Sequence, residues 1–277
     1  MNVCAAASAP ANQGAAPAGR YGLADLVRCE WTKLRTVRST LWTLGATALV
    51  GLAASGIATG VTRAHWARMT ATNRASFHPI EVSLIGVDLG GTLLLGIFGI
   101  LVVSSEYATG TIRATLAAAP RRPMVLAAKV LVLGAVTLVA ADLVAFASFL
   151  IGQALLTAPA SRAALASPVA LRATAGIGLY LGVVALFGLG TGVLVRHTAG
   201  AISAYAGVIL VLPILVSALP GRLQYAIERL LPLEIGSAMI NNASPDGFGP
   251  WTGFAVLCGY TALLLGLGAV VLVRRDA

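Results

Sequence analysis

Six long apolar segments divide the sequence, and most charged residues lie between them or at their ends. The apolar runs occupy residues 41–61, 84–103, 130–157, 173–195, 201–219 and 251–273. As a helix, each run is about long enough to cross a hydrocarbon layer of roughly 30 Å. The pattern predicts an all-α integral membrane protein with six transmembrane helices.

The composition agrees with this pattern. The chain is 58% hydrophobic and only 10% charged, whereas soluble domains carry about 25% charged residues. The net charge is +9, but the basic residues stand at the ends of apolar runs. That placement is typical of membrane topology and gives no reason to expect a nucleic-acid partner.

Two segments precede the six-span domain, which we place at residues 41–277. Residues 1–20 are rich in Ala, Pro and Gly and predict a disordered tail. Residues 21–40 predict an amphipathic helix at the membrane interface, because apolar residues recur on one face at 3–4 spacing. That stripe consists of Leu23, Leu26, Val27, Leu34 and Val37.

Glu30 falls inside this apolar stripe, where an acid is unexpected for a helix lying on lipid. One interpretation is that it reaches Lys33 or an arginine at the membrane surface. The other is that it forms an ion pair with a neighbouring element of the protein. The sequence leaves both open.

The distribution of Lys and Arg predicts the topology. With six spans, the side that holds both termini carries 12 of these residues and the other side carries 7. Basic residues are retained in cytoplasmic loops. We therefore expect a multi-pass cell-membrane protein with both termini and the segment 104–129 in the cytoplasm. The segment 220–250, a longer loop with a short apolar helix at 223–231, would lie outside.

Small residues recur four apart within the spans, an arrangement that lets helices approach closely. They either pack inside the bundle or, in the fourth span, form a seam between two copies. The pairs are Gly86/Gly90, Gly178/Gly182 and Gly188/Gly192.

The polar segment 104–129 has its own predicted helix. Thr111 is a suitable N-cap after the break at Gly110, and Pro120 ends the helix after about two turns. A short exposed helix held between two spans suits insertion into a groove of a partner. The alternative is a solvated loop.

Two acids lie within the spans: Asp88 near an end and Asp142 near a centre. An Asp at a helix centre costs roughly 2.5–3.5 kcal/mol on insertion scales, so Asp142 should face the bundle or a watery cavity. Each acid is either hydrogen-bonded inside the bundle or part of a substrate path.

Enzyme motifs are missing from the sequence. No His lies in an H-E-x-x-H motif, and no metal site is predicted. Neither Lys33 nor Lys129 belongs to a phosphate-binding loop, because Leu34 and Val130 follow them where Ser or Thr is required. We expect no catalytic site and no cofactor in this chain.

The segment Glu106–Tyr107–x–x–Gly110–Thr111–Ile112–Arg113, followed by Pro120, two arginines and Lys129, resembles the membrane subunits of ABC-type exporters of the second class. So does the opening Glu-Trp-Thr-Lys-Leu-Arg, residues 30–35. The likeness covers roughly residues 21–277.

The resemblance implies a permease that pairs with a second permease chain and with ATP-binding subunits, which would bind ATP and Mg. It implies that the segment 104–129 couples to those subunits through Glu106, Tyr107, Gly110, Thr111, Ile112, Arg113, Thr115 and Leu116. The interface helix would contribute Glu30, Trp31, Lys33 and Arg35. The segment 220–250 would be an outer re-entrant-like element. From their own placement within the spans, Asp142 and Asp88 are candidates for a substrate path.

Two other functions remain as alternatives. A non-transporting membrane anchor would show the same docking but no substrate path, and an intramembrane enzyme would need a catalytic pair that the sequence does not display. The apolar spans favour an amphiphilic substrate over a hydrated ion.

Overall fold

The computed structural model describes residues 22–112, 115, 121–157, 162–241 and 248–274. Every regular element in these ranges is a helix. The α-helices in chain order are α1 Leu23–Thr36, α2 Arg38–His65, α3 Ala71–Ala75, α4 Pro79–Ala108, α5 Arg122–Leu155, α6 Pro168–Val195, α7 Thr198–Ala206, α8 Leu212–Ser217, α9 Gly221–Glu228, α10 Pro232–Asn241 and α11 Pro250–Arg274. A 3-10 turn, Trp66–Arg68, follows α2. A π-helical segment, Gly207–Val211, joins α7 to α8.

Within the described residues, six segments are long and apolar enough to cross a membrane, which confirms the predicted all-α fold with six spans. They are Arg38–Arg68, Pro79–Ala108, Arg122–Leu155, Pro168–Val195, Thr198–Ser217 and Pro250–Arg274. The fifth comprises α7, the π segment and α8.

The helices α4 and α6 form the centre of the bundle. In their most apolar stretches 56% and 67% of the residues are buried, against 22% for α2, α11 and the fifth span. The helix α2 packs on α4, and both α5 and α11 pack on α6. The outer helices therefore turn most of their apolar surface toward lipid.

Glycines allow α4 and α6 to approach each other closely. A Cβ atom on Gly188 would lie 2.0 Å from the carbonyl oxygen of Gly96, and one on Gly99 would lie 1.9 Å from that of Ala185. A Cβ atom on Gly86 would likewise meet the backbone of α2, at the nitrogen of Ser55. These glycines thus pack inside the bundle of one chain.

The helices extend beyond the apolar runs at several ends. The helix α2 begins at Arg38 after the extended residue Val37, and α4 continues to Ala108. Apolar runs mark the thickness of the membrane, whereas helix ends depend on local caps and breaks. The described part of the segment 220–250 holds two helices before α11 begins, α9 and α10. Pro232 begins the second, a position that proline favours because it needs no N–H there.

The close contact between α4 and α6 gives a stability prediction. Gly188→Ala should lower the free energy of unfolding by about 1–3 kcal/mol, because the added methyl group meets a backbone carbonyl. Gly56→Ala is the matched control, since a Cβ on Gly56 meets nothing within 4 Å, and it should be neutral or slightly stabilising. The measurement is the unfolding midpoint in detergent, and equal midpoints for the two variants would contradict the prediction.

Candidate functional site

Four charged side chains from three helices meet at one end of the bundle. Glu30 and Lys33 lie on α1, Glu106 lies at the end of α4, and Lys129 lies in α5. The Lys129 ammonium is 2.7 Å from Glu30 Oε2 and 3.0 Å from Glu106 Oε1, and the Lys33 ammonium is 2.7 Å from Glu30 Oε1 and 3.1 Å from Glu106 Oε1. Each lysine therefore bridges both glutamates. We call these four residues the ion cluster.

The ion cluster is largely withdrawn from solvent. The side chains of Lys129 and Glu30 are 4% and 6% exposed, that of Glu106 is 12% exposed, and that of Lys33 is 29% exposed. Two positive and two negative charges make the cluster neutral. Removing one partner of such a buried pair leaves an uncompensated charge and typically costs about 3–5 kcal/mol.

These contacts determine the charge states of Glu30 and Lys33 on α1. Burial acts to raise the pKa of Glu30, but the ammonium groups of Lys129 and Lys33 outweigh it and hold that pKa below its ordinary value. Burial acts to lower the pKa of Lys33, but the carboxylates of Glu106 and Glu30 raise it above its ordinary value. Both charged forms are thus stabilised.

The packing of α1 explains why an acid lies in its apolar stripe. Glu30 and Leu34 are the buried residues of this helix, and the helix packs against α5. The stripe faces protein at this point, so Glu30 meets Lys129 from α5 as well as Lys33 on its own helix. Both interpretations of Glu30 apply, the local pair and the pair with a neighbouring element.

A second group of contacts lies beside the start of the segment 104–129. Ile112 is buried against Leu272 of α11, and Tyr107 packs on the same pair. The guanidinium of Arg196, at the end of α6, lies 5.6 Å from the centre of the Tyr107 ring. The residues around Gly110 are therefore tied to the end of the last helix.

Two arginines bind the end of α11 directly. Arg122, in the first turn of α5, donates a hydrogen bond to the carbonyl of Leu272 at 2.8 Å, and Arg196 donates one to the carbonyl of Val271 at 3.1 Å. The last carbonyls of a helix have no partner within it, and cations favour the negative end of its dipole. We call Arg122 and Arg196 the arginine clamp. It joins the ends of α5, α6 and α11.

Some of the predicted coupling residues lie within the described ranges and others do not. Gly110 has φ +70°, a conformation that glycine adopts without strain, and it separates α4 from the helical residues Thr111 and Ile112. Thr115 donates a hydrogen bond to the carbonyl of Thr111 at 3.2 Å. Arg113, Leu116 and the remainder of the predicted helix 111–119 lie outside the described residues.

The other predicted residues of this site divide between core and surface. Glu106 lies in the ion cluster, and Tyr107 packs against Ile112 and Leu272. Trp31 and Arg35 are exposed on α1. Sequence reasoning missed the pairing of Lys129 and the roles of Arg122, Arg196 and Leu272. One usable signal existed: Lys33 and Lys129 are the only lysines of the chain.

The structure does not bring Asp88 and Asp142 together. Asp88 is 6% exposed, and its Oδ1 lies beside Gly236 of α10, as does the ring of Tyr180. Asp142 is half-buried and its Oδ1 lies against Gly178 of α6. Asp142 therefore meets α6 at position 178, and Asp88 lies on the side of α6 that carries Tyr180. Positions 178 and 180 are about 200° apart around a helix, so the two acids meet opposite faces of α6.

Removing Lys129 should be strongly destabilising. Lys129→Gln leaves two buried glutamates with one lysine and should lower the free energy of unfolding by about 3–5 kcal/mol. Adding Glu106→Gln restores one charge of each sign, so the double variant should be more stable than Lys129→Gln alone. The midpoint of denaturant unfolding in detergent measures this. Arg68→Gln, an exposed charge in the 3-10 turn that follows α2, is the control and should change it by less than about 0.5 kcal/mol.

The pKa shifts give a pH dependence for the same cluster. Because folding lowers the pKa of Glu30, the ionised carboxylate stabilises the folded protein at pH values above its ordinary pKa of 4.5. This stabilisation is lost as the pH falls from 4.5 through the lowered pKa. Because folding raises the pKa of Lys33, the stabilisation by its ammonium group is lost only at pH values above its ordinary pKa of 10.5. The stability difference between the wild type and Glu30→Gln should stay constant near neutral pH and shrink below pH 4.5. A difference that is unchanged in acid would contradict the assignment.

The comparisons with known proteins agree with this architecture. Residues 26–203 match the family described as ABC-2 family transporter protein, and the match covers more than half of the chain. It includes the whole ion cluster and Arg196. A comparison with curated proteins gave no match. This six-span protein belongs to the ABC-2 transporter family and is a membrane-spanning permease subunit of an ABC transporter.

Proposed function

We propose that the chain couples ATP hydrolysis by a separate ATP-binding subunit to the export of an amphiphilic substrate. The observation that carries this proposal is that the residues on both sides of the segment 113–120 are held by contacts to other helices. Before this segment, Glu106 and Ile112 are bound into the ion cluster and the α11 contact. After it, Arg122 and Lys129 are bound to α11 and to α1.

This arrangement suits transmission of a mechanical movement. A partner that pushes on residues 113–120 moves the end of α4 and the start of α5 together. The ion cluster passes that movement to α1, and the arginine clamp passes it to the ends of α6 and α11. ATP and Mg would be bound by the partner alone, and two permease chains, identical or related, would complete the transporter.

The orientation follows from the basic residues. The clustered basic ends, with 12 of the 19 Lys and Arg residues, would face the cytoplasm together with both termini. The helices α9 and α10 would then lie at the outer side, where they cover the ends of the spans.

An apolar cavity near α9 and α10 supports an amphiphilic substrate. Its volume is about 380 Å³, within the usual range for ligand sites. Its lining is apolar apart from one phenol and includes Phe187, Val208, Leu230, Pro232, Tyr260 and Leu264. Such a surface accepts an alkyl chain and offers little to a hydrated ion.

Arg113→Glu tests the docking role of residues 113–120. Reversing an arginine at an interface centre should weaken binding of the ATP-binding subunit by about 30-fold, the effect of a typical hot spot. Arg222→Glu on α9 is the matched control, because it is exposed at the opposite end of the bundle. The measurements are co-purification in mild detergent and ATP hydrolysis by the complex, each at equal permease yield.

Wild-type binding and ATPase activity in Arg113→Glu would contradict the coupling role. Normal docking with no movement of any amphiphile in reconstituted vesicles would instead favour a membrane anchor.

A further inference from the structure

One face of α1 is exposed and basic. Arg28, Trp31 and Arg35 are three and four residues apart, so their positions fall within an arc of about 60° around the helix. All three are exposed, and Trp31 is exposed by 50%. We call them the basic face. It lies away from Glu30 and Leu34, which are buried against the bundle.

The acids of α1 leave this face with a net positive charge. Glu30 is held in the ion cluster by two lysines. Asp25 borders the basic face, but its Oδ2 accepts a hydrogen bond from the Gly22 N–H at 2.9 Å and caps the start of the helix. Arg38, exposed at the first residue of α2, adds a further positive charge.

The position of α1 along the chain fixes its depth. One residue, Val37, separates it from the membrane span that begins at Arg38. The helix therefore cannot leave the level of the headgroups at that end of the bundle. Trp42, in the first turns of α2, is 78% exposed. Exposed tryptophans with flanking arginines are typical of the membrane–water interface.

We propose that the basic face, together with Arg38, binds the headgroups of anionic phospholipids. The arginine guanidinium groups supply paired donors for phosphate, and Trp31 supplies an apolar ring with a polar N–H at the same level. A protein partner is a poorer fit, because Trp31 is the one large apolar side chain on this face. The bound lipids would hold α1 at the surface while the ion cluster holds its other side to the bundle. The proposal requires membrane insertion and is independent of the docking role of residues 113–120.

The test uses the full chain in lipid nanodiscs with Trp31 as the probe. Trp42→Phe, Trp66→Phe and Trp251→Phe together leave Trp31 as the single tryptophan. Its emission is measured in mixtures of phosphatidylcholine and phosphatidylglycerol, one of which is brominated near the headgroup. Quenching gives the relative association constant for anionic over zwitterionic lipid. We expect a preference for phosphatidylglycerol that weakens at high salt.

Arginine variants separate specific binding from general proximity. Arg28→Gln and Arg35→Gln should each reduce the relative association constant for anionic lipid by about fivefold toward unity. This is the effect expected when one basic residue near an anionic surface is lost. Arg68→Gln, at the far end of the first membrane span from Arg38, should leave that constant unchanged. If the triple tryptophan variant does not fold, the difference between the wild type and Trp31→Phe gives the same quantity.

Equal quenching by the two lipids would overturn the proposal, as would quenching by neither. Loss of quenching when the ATP-binding subunit is added would assign the basic face to protein docking and would also overturn it. These three results are distinguishable from failure of the coupling role, since none of them depends on ATP hydrolysis.

Discussion

The neutral pairing of two lysines with two glutamates is the constraint on which the rest of this end of the molecule depends. Each lysine contacts both acids, so no single helix can leave without exposing an unpaired charge in a poorly solvated place. The cluster therefore fixes α1 against α4 and α5. The segment proposed to meet a partner starts and ends on helices held in this way.

A different kind of contact holds the centre of the bundle. The helices α4 and α6 touch backbone to backbone at Gly96, Gly99 and Gly188, where no side chain could fit. In lipid the hydrophobic effect does not drive helices together, so close van der Waals packing has to do so. The same helix α4 carries Glu106 at one end and, toward its other end, Asp88, which lies beside α10.

Charge is arranged in opposite ways on the two sides of α1. On the inner side, acids and bases balance and the helix is fixed to protein. On the outer side, arginines stand around a tryptophan with a single bordering acid, which caps the helix. A helix that is bound on one side to the bundle and on the other to anionic headgroups would connect the membrane surface to the coupling segment.

The sequence by itself determined the six spans, the leading helix and the break at Gly110, because hydropathy, helical period and glycine conformation are local properties. It also marked Glu30 as unusual for an apolar stripe and Glu106 as a candidate coupling residue. Tertiary structure alone decided that Lys129 completes the ion cluster, that Arg122 and Arg196 bind the end of α11, and that Asp88 and Asp142 meet opposite faces of α6. These contacts join residues up to 150 positions apart. They depend on which helices are neighbours and how each is rotated, and similar apolar spans carry too little pattern to specify either.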